Sequence, residues 1–121
     1  MKQIRMQTSK EFTFEAAHRS SPFEGLHGHS FKVQIVLQGE PHPQFGWSHN
    51  LYEVDEQIKE VRSTLDHSYL NDIEGLPFPT LENVTKWLFH KLDARLDGLV
   101  CVTLSRGRDG DAEGCTCFAH A

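Results

Sequence analysis

His27 and His29 stand two residues apart at the mouth of an alternating apolar run, in phase with Phe31, Val33, Ile35 and Leu37. In a strand this spacing puts both imidazoles on one face. A third histidine, His18, ends an earlier run of the same kind, in phase with Phe12, Phe14 and Ala16. If the two runs pair as antiparallel neighbours, three imidazoles converge at one end of a sheet. Three neutral imidazoles with one open position are the ligand set of a catalytic zinc. The same residues can equally serve as hydrogen-bonded core histidines. Gly28 between them would let another backbone or a ligand come close. Eight histidines in 121 residues are the one compositional anomaly of the chain, and they point towards metal or acid–base chemistry.

A second chemical stretch is Asp66-His67. A carboxylate beside an imidazole can fix its tautomer and raise its basicity, which makes a proton-transfer unit. The competing reading is a helix C-terminal histidine that complements the dipole, with a solvated Asp66. Glu82 reads on local grounds as a plain first-turn acid. His42, His49, His90 and His120 read as surface or packing residues, with His49 the one placed to line a site. Cys115-x-Cys117 could close a four-ligand structural zinc site with His27 and His29, or be two buried, inert thiols.

The elements that must position these groups follow from periodicity. Residues 6–19 and 29–39 alternate as two strands of a long hairpin-like pair, joined by a turn-rich loop over 20–26. Residues 40–50 hold Pro41, Pro43 and Gly46 and form a loop, with Trp47 as a packing anchor. From Leu51 the period becomes helical: Leu51, Val54, Ile58, Val61 and Leu65 share a face, and Asn50 suits the N-cap. Residues 66–79 are irregular. Thr80 caps a second helix whose inner stripe is Val84, Trp87, Leu88, Lys91, Leu92 and Leu96, ending at Gly98. Residues 99–105 and 115–120 are short β runs around a glycine-rich turn at 106–111. The order β-β-α-α-β-β predicts an α+β fold with two helices on one face of a four-stranded antiparallel sheet. The other face would then need covering, which suggests association with copies of the chain.

The totals bound the rest. A chain of 121 residues suits one domain, spanning 1–121, with a core of its own. A net charge of −5 argues against nucleic acid as the main partner. No apolar h-region follows Met1, and no stretch reaches transmembrane length. Three cysteines without a framework suit reduced thiols, so a cytoplasmic protein without membrane contact is expected.

Four segments taken together resemble the 6-pyruvoyl-tetrahydropterin synthase family, and within it the bacterial 6-carboxy-tetrahydropterin synthases of queuosine biosynthesis. They are Phe12-Thr13-Phe14-Glu15-Ala16-Ala17-His18, Leu26-His27-Gly28-His29-Ser30-Phe31, Leu65-Asp66-His67-Ser68-Tyr69-Leu70-Asn71-Asp72 and Pro79-Thr80-Leu81-Glu82-Asn83-Val84. The resemblance spans nearly the whole chain. It implies a tunnelling fold assembled into a barrel of trimers stacked as a homohexamer. It implies zinc on His18, His27 and His29, and Asp66 and His67 as a proton relay. It implies a lyase that acts on dihydroneopterin triphosphate, a pterin triphosphate, and forms 6-carboxy-tetrahydropterin. It also exposes departures. The family's usual cysteine base, four residues before the first histidine of His-Gly-His, is Phe23 here, which leaves Glu24 as the candidate base. The family's pterin-anchoring glutamate near the last hairpin meets Leu104-Ser105-Arg106, so Asp109, Asp111 or Glu113 would have to supply the acid. Asn50 stands where an aspartate is frequent. A divergent paralogue with another pterin-like substrate or an aldolase-type cleavage, and a zinc-binding module without catalysis, are the alternatives.

Overall fold

The computed structural model describes residues 1–19, 25–108 and 110–119. Two long strands, β1 (Met6–His18) and β2 (His27–Gly39), pair antiparallel over their full length. Helix α1 (Leu51–Leu65) follows, then a two-residue strand β3 (Ser68–Tyr69), a single 3₁₀ turn (Leu70–Asp72) and helix α2 (Leu81–Asp93). Strands β4 (Leu99–Arg108) and β5 (Asp111–Phe118) form the closing hairpin. The sheet order is β3-β1-β2-β4-β5.

Alternation decides which face is covered. Phe14, Ala16 and His18 of β1, Phe31, Val33, Ile35 and Leu37 of β2, and Val102 and Leu104 of β4 are buried under the helices. Val54, Ile58, Val61 and Leu65 of α1 and Val84, Leu88, Phe89 and Leu92 of α2 meet them in one core. Both predicted caps form: the Asn50 side chain accepts from Tyr52 N–H, and that of Thr80 from Asn83 N–H. Phe31 stacks on Phe14 with ring centroids 4.9 Å apart and makes T-shaped contacts with His18 and His29. Phe31→Ala is therefore expected to lower the unfolding free energy by about 3–5 kcal/mol in urea titrations.

Several expectations need correction. The sheet has five strands rather than four, because the backbone after α1 adds β3 in parallel to the edge of β1, with Ala16 opposite Ser68. The second strand begins at His27, not at residue 29. The glycine-rich stretch at 106–111 is largely strand: Arg106 opposes Glu113, and Gly107 opposes Ala112. Gly107 has φ 103°, and a Cβ there would lie 2.6 Å from the Asp111 carbonyl oxygen, so glycine keeps the hairpin in register rather than ending it. Helix α2 stops at Asp93, five residues before Gly98; Gly98 (φ 73°) instead lets the chain turn against the carbonyl of Gln38. The inner stripe of α2 also differs. Thr85 and Phe89 are buried, whereas Lys91 is exposed and rests its ammonium 5.5 Å from the Trp87 ring centroid. Leu51 and Trp47 are likewise exposed, and Trp47 packs on Phe45 in the surface loop rather than in the core.

Candidate metal centre and proton-transfer pair

Register builds the centre. Residue 18 opposes residue 27 and residue 16 opposes residue 29 across the β1–β2 pair, so three imidazoles meet at the sheet end. One ring nitrogen of each lies within 4.8 Å of the others. Ring centroids are 4.7–5.0 Å apart, all edge to face. This is the only such group of potential ligands among the described residues. Cys115 and Cys117 do not join it: they oppose Leu104 and Val102 on β5, beyond β4.

Hydrogen bonds assign the tautomers. His18 Nδ1 lies 2.9 Å from the carbonyl of Pro79, and His27 Nδ1 lies 2.9 Å from that of Gly25. A carbonyl only accepts, so both Nδ1 atoms carry protons and both Nε2 atoms present lone pairs. Those two Nε2 atoms are 3.1 Å apart. Two facing lone pairs at that distance repel unless a proton or a cation lies between them. His29 Nε2 is buried with no hydrogen-bond partner. The orphaned nitrogen and the paired acceptors fit a metal. Tetrahedral zinc with nitrogen ligands at roughly 2.0–2.1 Å would itself set ligand nitrogens about 3.3–3.4 Å apart. Burial pushes the His29 imidazole below its ordinary value, and the Arg106 guanidinium and the other two imidazoles push the same way against a smaller opposing effect of Glu113. Both effects favour the neutral form of His29, the form in which it can ligate.

Neighbouring elements fix the sheet end. The Asn71 side chain clasps the backbone of Arg19, accepting from its N–H at 2.9 Å and donating to its carbonyl at 2.8 Å, one residue beyond His18. Pro79, just before the α2 cap, supplies the carbonyl that holds His18. Arg106 Nη1 donates to His18 Nε2 at 3.3 Å, and its Nε donates to Glu113 Oε1 at 2.8 Å. The sequence reading left Arg106 out of the site. The signal was present: Arg106 is in phase with Val102 and Leu104, as His18 is with Phe14 and Ala16.

Asp66 and His67 do form a pair. Asp66 Oδ2 is 3.0 Å from His67 Nδ1 and 3.2 Å from Arg62 Nη2, and Asp66 Oδ1 accepts from the Glu15 N–H at 2.9 Å. These bonds hold the Asp66 carboxyl below the usual carboxylate range, the Glu15 N–H contributing most. His67 sits at φ 59°, and its own N–H donates to the Glu15 carbonyl at 2.6 Å. The left-handed turn swings its ring outwards, where it is 80% exposed. It lines a depression of 450 Å³ with Glu15, Ala17, Gly28, His29, Ser30 and Ser68. Glu15, Ala17, Gly28 and Ser30 belong to the sheet's outer face, while Ala16 and His29, which also line the depression, belong to the helix-covered one. Among the described residues no hydrogen bond joins His67 to the cluster.

The other sequence candidates fall as follows. Glu24 and Asp109 lie outside the described residues, as does His120. Glu113 is carried to the edge of the centre through Arg106, while Asp111 starts β5 as an exposed residue. Glu82 is an exposed first-turn acid. His49 Nε2 bonds the Asp97 carbonyl at 2.7 Å and His42 Nδ1 accepts from two loop N–H groups, so both are structural. Asn50 is the α1 cap. Gly28 has no close neighbour, since a Cβ there would meet only the Ala16 carbonyl at 3.7 Å.

A mostly antiparallel sheet backed by two helices, with three converging imidazoles at its end, defines an α+β protein built around a candidate metal centre. Over residues 7–115 the chain matches the family described as 6-pyruvoyl tetrahydropterin synthase. A 6-carboxy-5,6,7,8-tetrahydropterin synthase of Synechocystis is 38% identical over 93 residues, covering 69% of this chain and 72% of that protein. A dihydroneopterin monophosphate aldolase of Pyrococcus furiosus is 32% identical over 88 residues, covering 71% and 74%. The structure of Caenorhabditis elegans 6-pyruvoyl tetrahydropterin synthase superposes with a TM-score of 0.86 at 24% identity, covering 99% of this chain and all of that one. The chain belongs to the 6-pyruvoyl tetrahydropterin synthase family.

Proposed function

We propose that this chain is a zinc-dependent lyase that converts dihydroneopterin triphosphate and one water to 6-carboxy-tetrahydropterin, triphosphate and acetaldehyde, on the route to queuosine. The observation that carries the reading is the convergence of His18, His27 and His29 with two acceptor nitrogens 3.1 Å apart and a third left without a partner. The likeness to the Synechocystis 6-carboxy-5,6,7,8-tetrahydropterin synthase supports the product named in this reading. Zinc held by the three Nε2 atoms would act as a Lewis acid towards adjacent hydroxyls of the substrate side chain.

The chain's own residues handle the protons. With its Nδ1–H donated to Asp66, His67 has a lone pair on Nε2 that can take a proton from carbon and return it. Asp66 holds the ring's tautomer and stabilises the imidazolium; Arg62 and the Glu15 N–H hold Asp66. Glu24, three residues before His27, serves in this reading as the second base. Because the His67 ring is exposed and makes no hydrogen bond to the cluster among the described residues, the reading also includes a homo-oligomer, a trimer or stacked hexamer, in which one copy brings its Asp66–His67 pair to the metal centre of another. The three cysteines are free thiols, which suits a reducing cytoplasm, and no helix among the described residues is long and apolar enough to cross a membrane.

The P. furiosus relative favours a second reading, retro-aldol cleavage of a dihydroneopterin phosphate side chain. Anaerobic incubation of zinc-loaded protein with dihydroneopterin triphosphate, and separately with the monophosphate, followed by mass spectrometry, decides between them. Formation of 6-carboxy-tetrahydropterin, reduced in Glu24→Gln, is the expected result. A pterin shortened by two carbons together with a phosphorylated aldehyde would establish the aldolase. No product from either substrate would leave a zinc-binding module.

A further inference from the structure

We propose that Arg106 forms an oxyanion subsite beside the three-histidine centre, so that the ligand taken there places a carboxylate or phosphate oxygen between the guanidinium and the metal. The inference rests on the metal reading above and deepens it by naming a charge that the ligand must carry.

Position comes first. Arg106 opposes Phe31 across the β2–β4 pair, which puts it on the helix-covered face beside the imidazoles. Its side chain is 19% exposed, an unusual degree of burial for a guanidinium. Its Nη1 points at His18 Nε2, one of the nitrogens that converge on the centre. Its Nε is held by Glu113, which fixes the plane of the group. A guanidinium has five N–H groups in a rigid fork. The Glu113 contact uses one of them, and the Nη1–H is freed when a metal takes the His18 Nε2 lone pair.

Charge comes second. Three neutral imidazoles bring no negative charge, so a divalent ion among them keeps its full positive charge. A guanidinium next to a ligating nitrogen adds another. Glu113 is the only carboxylate in contact with Arg106 among the described residues, and at 64% exposure its compensation is weakened by water. Two cations are stable side by side when an anion bridges them. The arginine fork matches the oxygens of a carboxylate or a phosphate, and a three-histidine metal leaves an open position for one of those oxygens.

The test uses full-length protein loaded with Co2+, whose visible absorption reports what enters the open position. Acetate, inorganic phosphate and the neutral ligand imidazole are titrated separately into wild type, Arg106→Gln and Arg106→Lys. Expected is saturable anion binding in wild type, weakened about 10- to 100-fold in Arg106→Gln, largely retained in Arg106→Lys, with imidazole affinity alike in all three. Loss confined to acetate assigns a carboxylate; loss confined to phosphate assigns a phosphate. Equal anion affinity in wild type and Arg106→Gln, with the cobalt band intact, overturns the subsite. A loss shared by imidazole also overturns it, since it would make Arg106 a support for the histidines. Absence of a cobalt band in wild type overturns the metal reading itself.

Discussion

His27→Ala is expected to abolish tight metal binding and, with it, turnover. Two imidazoles remain in that variant, and neither can replace the lost Nε2. Changes in groups that merely orient a ligand already cost 10–100-fold in metal affinity, so removal of a ligand should cost more than about 100-fold. Stability separates this from a packing role. In the metal-free chain His27 contributes a lone pair facing that of His18 at 3.1 Å. Its removal relieves that repulsion, so the metal-free variant should melt at or above the metal-free wild type. The rise in melting temperature that zinc gives wild type should vanish. A variant that melts well below metal-free wild type yet keeps its zinc would mark His27 as a packing residue. Calorimetry with and without zinc reads both quantities.

His67→Ala should lower kcat by about 10²- to 10⁴-fold, the range for losing a positioned acid–base group, while zinc stays bound at one per chain. Asp66→Asn should act in the same direction, because an amide can donate to Nδ1 and leave the imidazole in the wrong tautomer. Backbone conformation supplies a control. His67 is held at φ 59°, which costs a side-chain-bearing residue about 1–2 kcal/mol. His67→Gly should therefore be more stable than His67→Ala and just as inactive, which shows that the ring, not the turn, carries the chemistry. Asp66 also has a pH signature. Its carboxyl is held below the usual carboxylate range in the folded chain. Its contribution to stability is thus complete above the unfolded-state value near about 4 and is lost as pH falls through the lower folded value. Asp66→Asn should flatten this acid limb in urea midpoints measured from pH 5 downwards. An unchanged acid limb would mean that the Glu15 and His67 contacts do not hold in solution.

Much of the centre is legible before any coordinates. Period-2 alternation is a local rule, and it places His18, His27 and His29 on one face as soon as the two runs pair. Helical spacing does the same for Val54, Ile58, Val61 and Leu65, and Asn50 and Thr80 announce their caps by side-chain chemistry alone. What escapes the sequence is set by distant parts of the chain. Strand β3 is two residues long and exists because His67 N–H finds the carbonyl of Glu15 across 52 positions of sequence. Arg106 sits among glycines that read as a loop, yet the cross-strand partner Glu113 and the left-handed Gly107 carry the hairpin onward. Lys91 is in helical phase with Leu88, but α2 is buried along a stripe turned towards Thr85 and Phe89. The orientation of the Asp66–His67 pair belongs to the same class. The dipeptide is visible in the sequence, whereas the left-handed turn that exposes the His67 ring is a tertiary outcome.

The most direct test of the metal centre is equilibrium dialysis of the chelator-stripped full chain against zinc, in wild type and in His18→Ala, His27→Ala and His29→Ala. One zinc per chain in wild type and none held tightly in each variant is the predicted result. No saturable uptake by wild type, or uptake that survives all three substitutions, would contradict it.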